Sequence, residues 1–524
     1  MTGVVEIFVG LLIAVAVMAL LARKLHIPYP ILFVIGGLGI GLIPGLPKVR
    51  LDPELVFLFF LPPLLFPAAL FTSWRDFRAN LRPITLLAVG LVLFTTVIVA
   101  WLGHTFMHLG LASGFVLGAI VSPPDAIAAT AIAQRLKIPR RIVTILEGES
   151  LVNDATALVA YRFAVAAIVT GSFSFAKAGG QFLIVGLGGI ALGLLIGWLG
   201  AQFHKRVEDA PIEITVSLLT PFVAYLAAER LHVSGVLAVV AAGLYLGRRV
   251  PELFTFETRL QGGPVWEMVE FLLNGCVFIL IGLQLPEVMA ALSHDAIPLR
   301  HRVGYAVIIS VAVILIRVLW VFPATYIPRL LSRRLRERDP APSWRNVAIV
   351  AWTGMRGVVS LAAALALPLM VIERNLILFL TFIVIIATLV VQGLTLPLLI
   401  RALGVEDDGT SDREEHEARL KANHAALARL TETAGSEPAF LDARQRLRVE
   451  YEDHILQLKG DEARPSGARL RRFSSEFERL SHAALQVERR TILQLRDENV
   501  ISDEVLRRIQ RDIDLAEARL RAHQ

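Results

Sequence analysis

Residues 147 to 161 read EGESLVNDATALVAY and open an apolar stretch with Glu147, Glu149, Ser150, Asn153 and Asp154. A carboxylate at the centre of a bilayer costs about 3 kcal/mol or more, so several together need a reason. In a helix Ser150 and Asp154 stand four residues apart and share a face, while Glu149 and Asn153 share the neighbouring one. The first face offers a hydroxyl and a carboxylate, oxygen ligands suited to a hard cation. The second offers Glu149, whose charge the arginine of VAVILIRVLWVF, Arg317, would balance. An arginine that deep in an apolar run almost requires an acidic partner.

Two further stretches carry polar groups inside apolar runs. LGAIVSPPDAIAATAIA holds Pro123 and Pro124, each lacking an N–H, so a helix there loses ladder bonds and frees carbonyls one turn earlier. Asp125 follows, where a restarting helix would present its positive end to a carboxylate. AWTGMRGVVSLAAALALP places Gly354 and Gly357 around Arg356, and two glycines so close weaken a helix. Arg356 is expected to face the freed carbonyls.

The elements that must position these groups follow from composition. Of 524 residues 55% are hydrophobic, and the mean hydropathy is +0.62, which points to a polytopic membrane protein. The lone Cys276 excludes an internal disulfide framework, and no zinc spacing, Walker-type loop or nucleotide fingerprint is present. Runs long enough to cross about 30 Å of hydrocarbon fall near 3–22, 29–46, 54–72, 84–106, 111–134, 143–170, 179–203, 211–229, 232–247, 266–286, 303–327, 346–371 and 375–400. Loops after odd-numbered runs hold 20 Lys and Arg, those after even-numbered runs 7. The positive-inside rule therefore predicts thirteen spans, N-terminus outside and C-terminus cytoplasmic. The first run has no basic segment before it and Arg23-Lys24 after it, so a retained span rather than a signal peptide is expected. Well inside the runs lie Asp125, Glu149, Asp154, Arg162, Arg317 and Arg356, with Glu267 and Glu270 near the start of another. Arg162 comes late in its run and is expected to snorkel or bind backbone. The two interrupted runs are fifth and twelfth, seven apart, which suggests inverted six-helix repeats with crossed broken helices at mid-membrane.

Beyond residue 403 the chain changes character. Residues 405–524 hold 21 basic and 25 acidic residues, as in HEARLKANHAALARL, and read as a soluble, helical cytoplasmic tail. The predicted organisation is a transmembrane domain over 1–403 and a regulatory tail over 404–524. The pI of 9.6 reflects loop orientation and calls for no nucleic-acid partner.

The SPPDAIAATAI, GESLVNDA and TGMRGVVSLA segments, with the arginine of the eleventh run, resemble the monovalent cation/proton antiporter family that includes the sodium/proton exchangers. The resemblance covers about residues 1–403. It implies a core of crossed broken helices beside a dimerisation domain, hence a homodimer. It also implies that Asp154 binds cation and proton alternately, with Ser150 and Asp125 completing the site; the Pro124 carbonyl and Asn153 are placed with them. Glu149 with Arg317 would be the family's structural ion pair, and Arg356 its dipole-compensating arginine. FLPPLLFPAAL resembles the third-span motif, but Pro67 stands where many members carry an acidic residue. Pro124 stands where some relatives have threonine, leaving only a backbone carbonyl there.

The expected function is secondary active antiport of a monovalent cation, Na⁺ first and K⁺ as the alternative, for H⁺ across the plasma or inner membrane. It would serve pH and sodium homeostasis. Asn153 cannot titrate, so a 1:1 electroneutral exchange is predicted. No cofactor is expected, and the absence of Gly-x-Ser-Gly and HExxH argues against an intramembrane enzyme. A cation channel or a pH sensor acting through the tail are the other readings.

Overall fold

The computed structural model describes residues 2–25, 27–44, 56–125, 138–170, 175–292, 298–407, 409–432 and 438–460, with scattered positions elsewhere. It divides into two compact units, Met1–Asp407 and Asp408–Gln524. Every element among the described residues is helical.

The first unit runs α1 (Thr2–Leu25), α2 (Tyr29–Gly41), α3 (Val56–Phe71), the short α4 (Trp74–Ala79), α5 (Leu81–Met107) and α6 (Leu111–Val121). Then come α7 (Arg140–Thr170), α8 (Phe175–His204), α9 (Ala210–Arg230), α10 (Gly235–Leu253), α11 (Phe256–Leu292) and α12 (Leu299–Leu331). The short α13 (Arg333–Arg338), α14 (Trp344–Trp352), α15 (Val358–Leu365) and α16 (Arg374–Leu403) complete it. Eight of these helices are long and apolar enough to cross a membrane, and α2, α3 and α6 are shorter apolar helices. The second expected span is thus only 13 residues long, and residues 45–55, which include its end, lie outside the described residues. The fifth and twelfth expected spans are interrupted, as their Pro and Gly residues dictate.

Helix starts follow local chemistry. The side chains of Ser73, Asp209, Ser234, Ser332 and Ser343 each accept a bond from the backbone N–H three residues on, satisfying one orphan donor of the first turn. The cap at Ser234 explains why α10 begins at Gly235, a little later than its apolar run. Gly404, at φ +60°, ends α16 in the left-handed conformation that glycine adopts without steric cost.

Helix position in the bundle follows composition around the circumference. In the most apolar window of α16, 72% of residues are buried, so it is a central helix; in α8 only 17% are, and Leu183, Ile184, Leu187 and Leu199 face outward. Outward leucines cost nothing in lipid, which explains why these helices show so little amphipathic bias. Helices α5 and α6 pack unusually close: a Cβ on Gly118 would meet the backbone of Thr96, and one on Gly114 that of Ala100. Small residues four apart permit this approach in a bilayer.

In the second unit α17 (Thr410–Glu432) and α18 (Pro438–Gly460) pack against each other. Ion pairs four residues apart, Glu415–Arg419 at 2.5 Å and Asp442–Arg446 at 2.9 Å, lie on their exposed faces. Each such pair stabilises an exposed helix only slightly.

Candidate ion-binding site

The break after α6 begins with bookkeeping of backbone groups. Pro123 cannot donate to Ala119, and the hydroxyl of Ser122 donates to that carbonyl instead, at 3.1 Å. Asp125 N–H, which in an unbroken helix would bond Val121, instead donates to the Met355 carbonyl at 2.6 Å. The Val121 carbonyl thereby freed accepts from Nε of Arg356 at 2.9 Å. One break therefore hands its unpaired groups to the other.

The second break, between α14 and α15, is built the same way. Gly354 N–H bonds Trp352 rather than Val350, and the Val350 carbonyl accepts from the Thr353 hydroxyl at 3.0 Å and from Nε of Arg317 at 3.2 Å. Arg356 also donates to the Gly354 carbonyl, and its backbone N–H bonds the Thr388 hydroxyl of α16 at 3.1 Å. Arg356 and Arg317 are both fully buried and both bind carbonyls at C-terminal helix ends, where the dipole favours a cation. Gly357 lies so close to Asp125 that an added Cβ would overlap its carboxylate. A larger residue there must push the carboxylate aside.

Helix α7 runs unbroken past these two breaks. Its Glu149 is 1% exposed and takes both ends of the Arg317 guanidinium, at 2.5 and 2.8 Å. Asn153 donates its amide to the Pro124 carbonyl at 2.7 Å, bracing the first break. On the adjoining face Glu147, Ser150, Leu151 and Asp154 line a cavity of about 540 Å³. Asp125, Pro123 and Thr130 line it from the first break, Gly357, Val358 and Ser360 from the second. Helix α11 adds Glu267, Glu270, Phe271 and Asn274, and Pro67 of α3 supplies apolar wall. Five carboxylates line this space, and among the described residues no Lys or Arg does. Such a cavity concentrates cations by its field.

Asp154, Asp125 and Ser150 thus meet at one cavity. Glu149 with Arg317, and Arg356 at the helix ends, stand beside it rather than in it. Asn153 and the Pro124 carbonyl, expected among the ion ligands, are bonded to each other and do not line the cavity. Arg162, half exposed, pairs with Glu229 of α9 at 2.9 Å. A carboxylate at the end of α9 was within reach of its long side chain, and a charged acceptor outcompetes a carbonyl.

Glu147, Glu267, Glu270 and Asn274 contribute to the cavity without a specific role having been expected of them. A signal existed. Glu147, Ser150 and Asp154 are spaced i, i+3, i+7, and so are Glu267, Glu270 and Asn274, so each set lies along one helix stripe. Asn274 is 1% exposed, and its Oδ1 has no partner among the described residues.

Comparison with known proteins agrees with this architecture. The chain is 36% identical to a Na(+)/H(+) exchanger of Mycobacterium tuberculosis over 98% of this chain and 96% of that one. It is 37% identical to the sodium, potassium, lithium and rubidium/H(+) antiporter of Bacillus subtilis over 71% of this chain and 58% of that one. The fold matches that of the sodium proton antiporter MjNhaP1 from Methanocaldococcus jannaschii, with a TM-score of 0.62 at 19% identity, over 76% of this chain and 98% of that one. The family model described as sodium/hydrogen exchanger, transmembrane, matches residues 10–402. The chain is a multi-pass membrane protein and belongs to the sodium/hydrogen exchanger family.

Proposed function

We propose that the protein exchanges one monovalent cation, Na⁺ in the first instance, for one proton, with Asp154 as the alternating carrier. The observation that carries this reading is the meeting of Asp154, Asp125 and Ser150 at a carboxylate-lined cavity where two helix breaks meet. Buried in low dielectric, Asp154 is stable neutralised, by a proton or by a cation; each displaces the other. Ser150 and Asp125 supply further oxygens to the cation. The carriers cannot be Glu149, held by two bonds to Arg317, or Asn153, an amide.

Family membership and the antiporters among the relatives support cation/proton antiport, and the Bacillus subtilis relative supports K⁺ as a second cation. The loop-charge bias supports thirteen crossings with the N-terminus outside and the C-terminus in the cytoplasm of the plasma or inner membrane. In that orientation α7 starts at the cytoplasmic face, and Asp154 lies 14 residues on, about 21 Å deep. Glu147 and Glu270 would then line an inward-facing approach. The family resemblance supports a homodimer, and a role in pH and sodium homeostasis follows from such exchange. Residues 404–524 would adjust the rate or pH response without taking part in exchange.

The test is sodium-driven proton flux in proteoliposomes with Asp154→Asn, checked for folding by size-exclusion profile. Complete loss is expected. A mutant keeping a tenth of the parent flux would remove Asp154 from the carrier role.

A further inference from the structure

A second polar constellation lies away from the cavity, where α5, α7 and α14 begin and α12 ends. Three arginines gather around one carboxylate. Asp339 takes Arg141 at 2.7 Å and Arg329 at 2.5 Å, while Nη1 of Arg82 stops at 4.0 Å, beyond hydrogen-bond reach. Arg329 is nearly buried and also donates to the Asp339 and Thr325 carbonyls, so its charge is fixed in place. Arg141 also donates to Asn80. Both Nη atoms of Arg82 are buried without a hydrogen-bond partner among the described residues. The cluster holds three positive charges against one negative, with unused donors.

These arginines rim a cleft of about 70 Å³, several times the roughly 10–15 Å³ a single water needs. Its walls are apolar: Leu86, Ile142, Ile145, Val321 and Ala324 among them. On the same end of α12, Ile327, Leu330 and Leu331 are at least half exposed, as side chains in contact with hydrocarbon are. A guanidinium with free donors above an apolar wall, at the end of membrane helices, matches one ligand chemistry: a phosphodiester carrying acyl chains. We propose that this cleft binds the headgroup phosphate of an anionic phospholipid, with Arg82 as its principal donor.

The cleft also touches the frame of the ion site. Val350 lines its floor, and the Val350 carbonyl is the one that accepts from Arg317, the partner of Glu149. A bound lipid would hold the ends of α5, α7, α12 and α14 together around that carbonyl, steadying the pair beside Asp154.

The experiment titrates the purified full-length protein, in non-ionic detergent, with phosphatidylglycerol, phosphatidylcholine or inorganic phosphate, reading the thermal unfolding midpoint. Phosphatidylglycerol should raise the midpoint, and the other two should not. Arg82→Gln breaks no side-chain hydrogen bond among the described residues, and should shift the lipid dependence about fivefold to higher concentration, the effect of one arginine near a membrane surface. Ala324→Phe narrows the cleft without removing a charge and should weaken the lipid's effect as well. Arg162→Gln, a half-exposed arginine elsewhere, should titrate like the parent. Stabilisation equal for phosphatidylcholine would make this a bulk lipid effect, and equal for phosphate a free-anion site; either overturns the proposal. So does parental titration by both Arg82→Gln and Ala324→Phe. None of these readouts depends on which cation is transported.

Discussion

Replacing Arg317 by Met removes the cation from the most deeply buried ion pair among the described residues. Arg317 and Glu149 are 0% and 1% exposed and share two bonds of 2.5 and 2.8 Å. Two unit charges about 3 Å apart attract by roughly 5–6 kcal/mol at an effective dielectric of 20. Desolvation of both ions offsets most of that, so the intact pair contributes little net stability. Removing one partner is different, because the other charge stays buried and unpaired, costing about 3–5 kcal/mol. Arg317→Met should lose about 1 kcal/mol beyond Glu149→Gln, since it also takes a donor from the Val350 carbonyl at the end of α14. The double variant Glu149→Gln with Arg317→Met should be more stable than the sum of its singles implies. The exchanged pair, Glu149→Arg with Arg317→Glu, should recover part of the loss but not the Val350 bond, which a glutamate cannot make. Equilibrium unfolding in mixed micelles, run as a double-mutant cycle, measures all of these differences. Single variants within about 0.5 kcal/mol of the parent, or strict additivity in the double, would refute the reasoning.

Gly357→Ala should fold and insert but raise the cation concentration for half-maximal exchange on the order of tenfold, because its Cβ must displace the Asp125 carboxylate; unchanged sodium dependence in proteoliposomes would contradict this. A chain ending at Leu403 should still exchange, with altered pH dependence, since every residue of the cavity precedes it; loss of all flux by a well-inserted truncation would show the tail is needed. If Asp154 is the one alternating carrier, as proposed, the sodium gradient that balances a fixed pH gradient should not move with potassium-diffusion potential, although 100 mV contributes about 2.3 kcal/mol per net charge. A voltage-dependent balance point would reveal a second titrating carboxylate.

The helices were legible because lipid imposes a long apolar run on each, and the two breaks because Pro123, Pro124, Gly354 and Gly357 interrupt such runs. Pairing of Glu149 with Arg317 was legible for an energetic reason: neither charge is tolerable alone at that depth. What sequence did not disclose is which group satisfies which. Asn153 reads as a possible ion ligand by proximity to Asp154, yet its neighbour across the gap is the Pro124 carbonyl, and only three dimensions show that. The partner of Arg162 was not legible for a similar cause, its acceptor Glu229 lying 67 residues away on another helix. Contacts between helices depend on rotation about each helix axis, which all-round apolar helices do not encode.

The backbone bookkeeping at the crossing bears on how access to Asp154 can change. Asp125 N–H is held by Met355, Val121 by Arg356, and Val350 by Arg317, so each break is completed by the other or by a neighbouring helix. Sliding one half-helix past its counterpart would strand several of these groups in a water-poor interior, at about 1–3 kcal/mol each. Three or four such losses together would make an intermediate too rare to support turnover. The Pro124–Asn153 and Glu149–Arg317 bonds add α7 and α12 to the same tied assembly. The two breaks, α7 and α12 are therefore tied into one bonded assembly that holds Asp154, and α11 forms the opposite wall of the cavity. There α11 presents Glu267, Glu270 and Asn274, and among the described residues no hydrogen bond joins these side chains to α7 or to either break. On the proposed reading, the surface between that assembly and α11 is where a movement would strand the fewest buried polar groups.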